Sequence, residues 1–465
     1  MTESLWTAND IMAATEAEWQ GDGEAEFHRI IINSREASAG DVFVALIGEV
    51  HDAHKFVKGA LEQGASAALV SYIPEDMDAN DERLFLIDYD PLEGLVKLGN
   101  HARERLTGKV VGVTGSVGKT STKEALKTAC ESLGKTYATG GNYNNHIGVP
   151  LTLANMPAST DYAIIEMGMS AAGEISYLTH MARPHVALIT AIEAAHMEFF
   201  ESVEGIADAK LEIAEGLEEG GTLILPHDNV HYNYLRVHSE HIANRKSFGS
   251  HEASDFKVLS YQLSAKGASI SAEIDGVALD YSIAALGEHW AGISAVALGA
   301  VSLLDGDVEK AAQGLIAFSE PKGRGRLTHA MIGGGEIIII DDSYNASPAS
   351  MRAAFAKMKA LREAGVAKGR LVAVLGDMLE MGDESVKMHA ALAEDLESEG
   401  IDVVLAAGDA MKHCYNALPE TMRGEWVTSA SELDVKAHLY AGDTVLFKGS
   451  NGSKIHMLVT DITKN

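Results

Sequence analysis

Hydrophobic residues along this chain gather in short unbroken runs, most of them ending in glycine, a carboxylate or a lysine. The runs at 110–113, 162–165, 186–190 and 222–225 lack the period-two alternation of a half-exposed strand. They predict strands buried on both faces, in a parallel sheet covered by helices. A second series lies toward the C-terminus: IIIIDDSY, LVAVLGDM, DVVLAAGD and DTVLFKGS, separated by helical stretches. It predicts a doubly wound, Rossmann-like α/β unit whose ligand crevice lies at the strand C-termini. Between 256 and 282 the pattern alternates, with Asp275-Gly276 at a turn. That predicts an antiparallel hairpin added to a sheet edge, followed by a helix over 288–304. Before 105, short strands and helices alternate. An acid-rich helical opening leads to IINSREASAGDVFVALIG at 31–48, a helix near 56–63 and a strand at 67–70, together a small α/β unit.

The chain therefore divides into three α/β units, at 1–105, 106–318 and 319–465. The length of 465 residues agrees with about three domains. PKGRGR at 321–326 reads as a basic, Pro/Gly-rich linker before the third.

Composition narrows the function classes. Basic residues number 37 and acidic ones 67, a net charge of −30 with no basic patch, which argues against nucleic acid as a partner. Cys130 and Cys414 form no CxxC pair, which suits a reducing compartment. MTESLWTAND has neither the basic nor the apolar region of a signal peptide. The longest apolar stretch, 293–304, is too short to span a bilayer. A cytoplasmic protein without an integral membrane segment is expected. Neither His51/His54 nor His238/His241 has partners at metal-ligand spacing.

The strongest chemical signal is VVGVTGSVGKTS at 110–121. A β-branched run ends in a glycine turn that carries Lys119 and Thr120, and a helical pattern follows. This is the layout of a phosphate-binding loop. Its backbone N–H groups face phosphate oxygens, its lysine neutralises them, and its hydroxyl binds Mg²⁺. The spacing is the shorter form G-x-T-G-x-x-G-K-T, with Val113 where the longer form has glycine. The plain alternative is a glycine turn that binds nothing. Glu166 ends the apolar run AIIE and stands where a Mg²⁺-holding carboxylate is needed, although strand ends often carry acids. His196, in AIEAAHMEFF, is a candidate for a second cation or an ordinary loop histidine. GGNYNNHIGVP at 140–150 gathers Asn142, Asn144 and Asn145, uncharged donors and acceptors suited to a carbohydrate or peptide, or to a turn.

Taken in order, GVTGSVGKTS, GGNYNNHIGVP, EMG, AAHME, DAKLEI, RGR, DDSYNASP and KGS resemble the Mur ligase family from about 108 to 450. DDSYNASP at 341–348 resembles the branch that adds the last dipeptide. The DNPR motif of the diaminopimelate-adding branch is not found. Asn33-Ser34-Arg35 and GDVFVALIG are similar to the family's UDP-binding first domain. The resemblance implies a central ATPase domain between that domain and a Rossmann-like ligase domain. It implies ATP-dependent formation of an amide through an acyl phosphate, in peptidoglycan precursor synthesis. The implied partners are a UDP-N-acetylmuramoyl-tripeptide and D-alanyl-D-alanine, and the implied state is a monomer. Lys119, Glu166, His196 and Lys210 would carry catalysis. Mg²⁺ would sit among Thr120, Glu166, His196 and a carbamylated Lys210. ATP would lie against Thr114, Gly115, Ser116, Val117, Gly118, Lys119, Thr120 and Ser121, with Trp290, Arg326, Asp341, Tyr344 and Asn345. Substrate would meet Ser34, Arg35, Asn142, Asn144, Asn145, Asn345 and Lys448.

Two departures stand out. GEHWAGIS at 287–294 places Trp290 and Ser294 where the family commonly has asparagines, so an amide contact to adenine gives way to an indole that stacks or fills core. Asn451 follows KGS where arginine is frequent. The rival readings are a folylpolyglutamate-like or other Mur-type ligase, a small-molecule kinase, and a nucleotide-gated binding protein. The kinase reading leaves the third unit without a task.

Overall fold

A computed structural model of the chain describes residues 4–194, 199–264 and 267–464. It is an α/β structure built on three main sheets that follow one another along the chain.

The first sheet has four parallel strands, in the order Arg29–Ile31, Asp41–Val44, Ala67–Val70 and Leu84–Leu86. The helix Pro91–Arg105 closes it. Asp90 caps that helix and proline opens its first turn, where the missing N–H costs nothing. One face of the helix buries Leu95, Leu98 and Ala102 in the core of the first unit. Its Gly99 meets the helix Gly148–Ala154 of the central unit, and a Cβ there would stand 2.9 Å from the Pro150 carbonyl oxygen. Trp6 Nε1 donates to the Ala154 carbonyl at 2.8 Å and ties the same two units.

The central sheet has nine strands. Seven are parallel, running from Thr136–Ala138 at one edge through Tyr162–Glu166, Lys109–Thr114, Val186–Ile189, Thr222–Pro226 and Asn244–Gly249 to Phe256–Ser264. The alternating segment is a three-stranded meander, not a single hairpin: Gly267–Ile274 and Val277–Ile283 follow Phe256–Ser264 antiparallel, turning at Asp275 and Gly276. The helix His289–Leu303 packs on this sheet with ten of its residues buried, which accounts for its unbroken apolar character. No helix among the described residues is long and apolar enough to cross a membrane.

The third sheet has six strands, in the order Arg326–Ile332, Gly335–Asp342, Thr444–Lys448, Leu371–Gly376, Val403–Ala407 and Arg423–Val427. The four apolar runs form its parallel centre, and Arg326–Ile332 pairs antiparallel at one edge. The linker before it is clamped. Glu320, 5 % exposed, accepts hydrogen bonds from Leu286 N and Lys357 Nζ, both at 2.8 Å. Lys357 Nζ also donates to the Gly325 carbonyl at 2.7 Å.

Candidate active site

The strand Lys109–Thr114 delivers the chain into the glycine turn, and the helix Lys119–Glu131 leaves it. The turn is laced to the end of the neighbouring strand. Thr190 Oγ1 donates to the Val117 carbonyl at 2.5 Å, and Ser116 N donates to the Ala191 carbonyl at 2.8 Å. Gly115 has φ +148°, and a Cβ there would stand 1.9 Å from Thr190 Oγ1, so glycine is required on two counts. Lys119 lies half-buried over the turn, donating to the Gly115 carbonyl at 2.6 Å. Burial lowers its pKa; the Glu166 carboxylate opposes this and Arg324 adds to it.

Glu166 ends the strand Tyr162–Glu166, 1 % exposed. Its Oε1 accepts from Thr120 Oγ1 at 3.2 Å and from the Asn144 amide at 2.8 Å. Among the described residues its Oε2 has no hydrogen-bond partner, and it lies 3.9 Å from Lys123 Nζ. A buried carboxylate oxygen left bare beside a hydroxyl suits a hard divalent cation. Among the described residues no three His, Cys, Asp or Glu side chains cluster as metal ligands, and His196 lies outside the described residues. Lys210, in the helix Val203–Leu211, is 1 % exposed. Burial drives its pKa well below the ordinary lysine value; the Lys119 charge adds to this and Glu212 opposes it.

The third unit faces this turn across a cleft of about 820 Å³, which Lys119, Thr120, Glu166, Arg324, Tyr344, Asn345 and Lys448 all help to line. Arg324 lies over the Tyr344 ring at 4.2 Å and donates to Thr120 Oγ1 at 3.3 Å, so a guanidinium from the linker reaches the phosphate turn. Lys448 Nζ pairs with Asp342 at 2.6 Å and donates to the Asn345 carbonyl at 3.2 Å.

Residues 113–301 match the Mur ligase middle domain, and residues 325–451 match the domain described as Mur ligase, glutamate ligase domain. The UDP-N-acetylmuramoyl-tripeptide–D-alanyl-D-alanine ligase of Bacillus subtilis (strain 168) is 34 % identical over 448 residues, which cover 94 % of this chain and 93 % of that protein. The chain belongs to the Mur ligase family. MurF from Acinetobacter baumannii has a similar structure, with a TM-score of 0.86 at 30 % identity over all of both chains. MurF ligase from Thermotoga maritima, solved in complex with ADP, gives 0.76 at 26 % identity over 93 % of this chain and 96 % of that one.

Several residues of this Mur ligase stand elsewhere than the sequence suggests. Arg326 is exposed at the start of the edge strand Arg326–Ile332 and is absent from the cleft lining; Arg324 occupies the cleft instead. RGR offers two arginines two residues apart, and only the fold of the linker separates them. Asp341 is buried and accepts from Ser343 Oγ, while Asp342 lines the cleft. Adjacent strand residues face opposite sides, so the pair divides. Asn142, Asn144 and Asn145 all line the cleft; Asn144 holds Glu166, and Asn145 Oδ1 accepts from Ile147 N and Gly148 N at the start of a helix. Trp290 borders the cleft but is 1 % exposed. Phe318 meets its ring edge-on at 5.3 Å and His289 lies tilted at 4.8 Å. Its indole is core, and its N–H, buried without a partner among the described residues, is the polar group it retains. Ser34 and Arg35 lie in a short 3₁₀ turn of the first unit, outside the cleft lining, where Asn33 Oδ1 accepts from Arg35 N at 3.2 Å.

Proposed function

We infer that this Mur ligase joins D-alanyl-D-alanine to a UDP-N-acetylmuramoyl-tripeptide at the expense of ATP, as a cytoplasmic step of peptidoglycan precursor synthesis. The observation that carries the reading is the shared cleft. The phosphate turn and Glu166 form one wall, and Arg324, Asn345 and Lys448 form the other. Phosphoryl donor, carboxylate and amine have one place to meet.

The chemistry follows from what a carboxylate lacks. Oxide is too poor a leaving group for an amine to displace. A carboxylate oxygen of the tripeptide attacks the γ-phosphorus of ATP, the bond to the β-bridging oxygen breaks, and ADP departs. The dipeptide amine then adds to the carbonyl of the acyl phosphate and loses a proton, and inorganic phosphate leaves with the C–O bonding pair. The barrier in the first step is charge crowding between two anions. Lys119 and Arg324 place fixed positive charge at the phosphates. Thr120 and Glu166 would hold Mg²⁺, which supplies further neutralisation when bound. Lys210 suits carbamylation: a buried amine kept neutral is nucleophilic toward CO₂. Its Nζ–C bond forms as a proton leaves, and the resulting anion balances Lys119. His196 would complete the cation site.

In this reading residues 1–105, with Ser34 and Arg35, bind the UDP-sugar, residues 106–318 bind ATP, and residues 319–465 bring in the dipeptide. Phosphate release from ATP is expected to require both the UDP-tripeptide and D-alanyl-D-alanine. Steady release in the absence of the dipeptide would instead mark a kinase or an uncoupled nucleotidase.

A further inference from the structure

Beside the main cleft lies a second pocket of about 210 Å³. The two cavities share His146, Gly168 and Glu174, and the smaller one is completed by Ala172, Gly173, Tyr177 and Leu178. It opens close to the reacting end of the cleft. Gly168 N donates to the Asn144 carbonyl at 2.8 Å, and the Asn144 amide holds Glu166 at 2.8 Å. A carboxylate phosphorylated beside Glu166 therefore has this pocket within a side chain's reach of its own α-carbon.

The lining has a definite chemistry. Leu178, 1 % exposed, gives it an apolar floor, and the exposed Tyr177 ring gives it a wall. Glu174 supplies a carboxylate whose Oε2 is fixed by Ser170 N at 2.7 Å. The start of the helix Glu174–Ala182 would attract an anion, but Glu212 already meets it, accepting from Gly173 N at 2.7 Å and Ser176 N at 3.1 Å. Glu215 accepts from Ser176 Oγ on the same turn. Among the described residues no lysine or arginine lines the pocket, and His146 is the one basic side chain in it. An apolar pocket with one carboxylate in its lining, Glu174, suits an aliphatic chain that ends in a cation.

We propose that this pocket takes the side chain of the tripeptide's third residue, and that Glu174 selects a side chain carrying an ammonium group. The assignment rests on the ligase reading above. Lysine and meso-diaminopimelate share this ammonium group; in the second, the extra carboxylate has His146 as its partner.

The test uses the full-length protein and three UDP-N-acetylmuramoyl-tripeptides, ending in lysine, meso-diaminopimelate or norleucine. The wild type is expected to show a KM for the norleucine substrate about tenfold above that for the better ammonium substrate, the size of one charge-assisted hydrogen bond. Glu174→Gln keeps an acceptor for Ser170 N, and is expected to bring the KM ratio toward one without a matching fall in kcat. Glu174→Asp is expected to restore part of the preference. The better of the two ammonium substrates names the residue used. If it is diaminopimelate, His146→Gln is expected to raise that KM alone. Equal KM values for lysine, diaminopimelate and norleucine in the wild type would overturn the assignment, as would a Glu174→Gln variant that depresses kcat alike on all three. If none of the tripeptides supports ATP-dependent phosphate release with the dipeptide, the ligase reading itself fails.

Discussion

The Lys119 charge is felt at Lys210, which is 1 % exposed, and burial together with that charge holds the Lys210 pKa well below the ordinary lysine value. An ammonium there is costly, and in the proposed reading a carbamate takes its place. Lys210→Ala is expected to be nearly inactive and to regain turnover when small carboxylates are added. A crystal structure showing a bare amine turned to solvent would refute the carbamate. The two thiols give a pH-dependent counterpart. Burial pushes Cys130 and Cys414 up to about 12, from an ordinary value of 9. A raised value for an acid means that the native state keeps a proton the unfolded chain releases. Their contribution to stability is therefore full below pH 9 and is lost as the pH rises through about 12. At pH 9 iodoacetamide is expected to spare both thiols in the native protein and to alkylate both in urea. Intact mass separates the outcomes.

Among the elements, those with a single decisive signal are legible in the sequence. The runs at 110–113, 162–165, 186–190 and 222–225 are central strands, because burial on both faces writes an unbroken apolar code. Asn244–Gly249 spells NRKSFG and Thr136–Ala138 spans three residues; neither carries that code, and both are strands by virtue of their neighbours. The edge strand Arg326–Ile332 owes its place to the turn that pairs it with Gly335–Asp342. The same division holds in the site. The spacing of the phosphate turn announces Lys119 and Thr120, but the choice between Arg324 and Arg326 and the capture of Asn144 by Glu166 depend on tertiary packing. Within the turn, Gly115→Ala is expected to combine a disfavoured φ with a collision at Thr190. The cost is about 1–3 kcal/mol in urea unfolding, with turnover lost more steeply because Val117 is displaced. A variant with wild-type stability and activity would show that the turn repacks freely.

At the scale of the molecule, the third unit is, in the proposed reading, answerable for the amine. Asn345→Ala is expected to lower turnover with the dipeptide severalfold while leaving UDP-substrate affinity, by calorimetry, nearly unchanged. Loss of UDP-substrate binding would contradict that division of labour. The first and central units are joined differently. Helix Pro91–Arg105 has one side in the core of the first unit, and its Gly99 lies against Pro150. Leu151 and Ala154, far along the chain, belong to that same core, and Trp6 bonds to Ala154 from the opposite end of the unit. The break in pattern near residue 105 is thus a seam in the sequence and not in the packing. A ligase cut there would bare the apolar side of the helix Gly148–Ala154, which directly follows the asparagine loop of the active site. The chain meets its third unit through Leu286, which belongs to that unit's core, and through Leu263 of the central sheet, which packs against it. Its first unit has become part of the floor on which the chemistry stands.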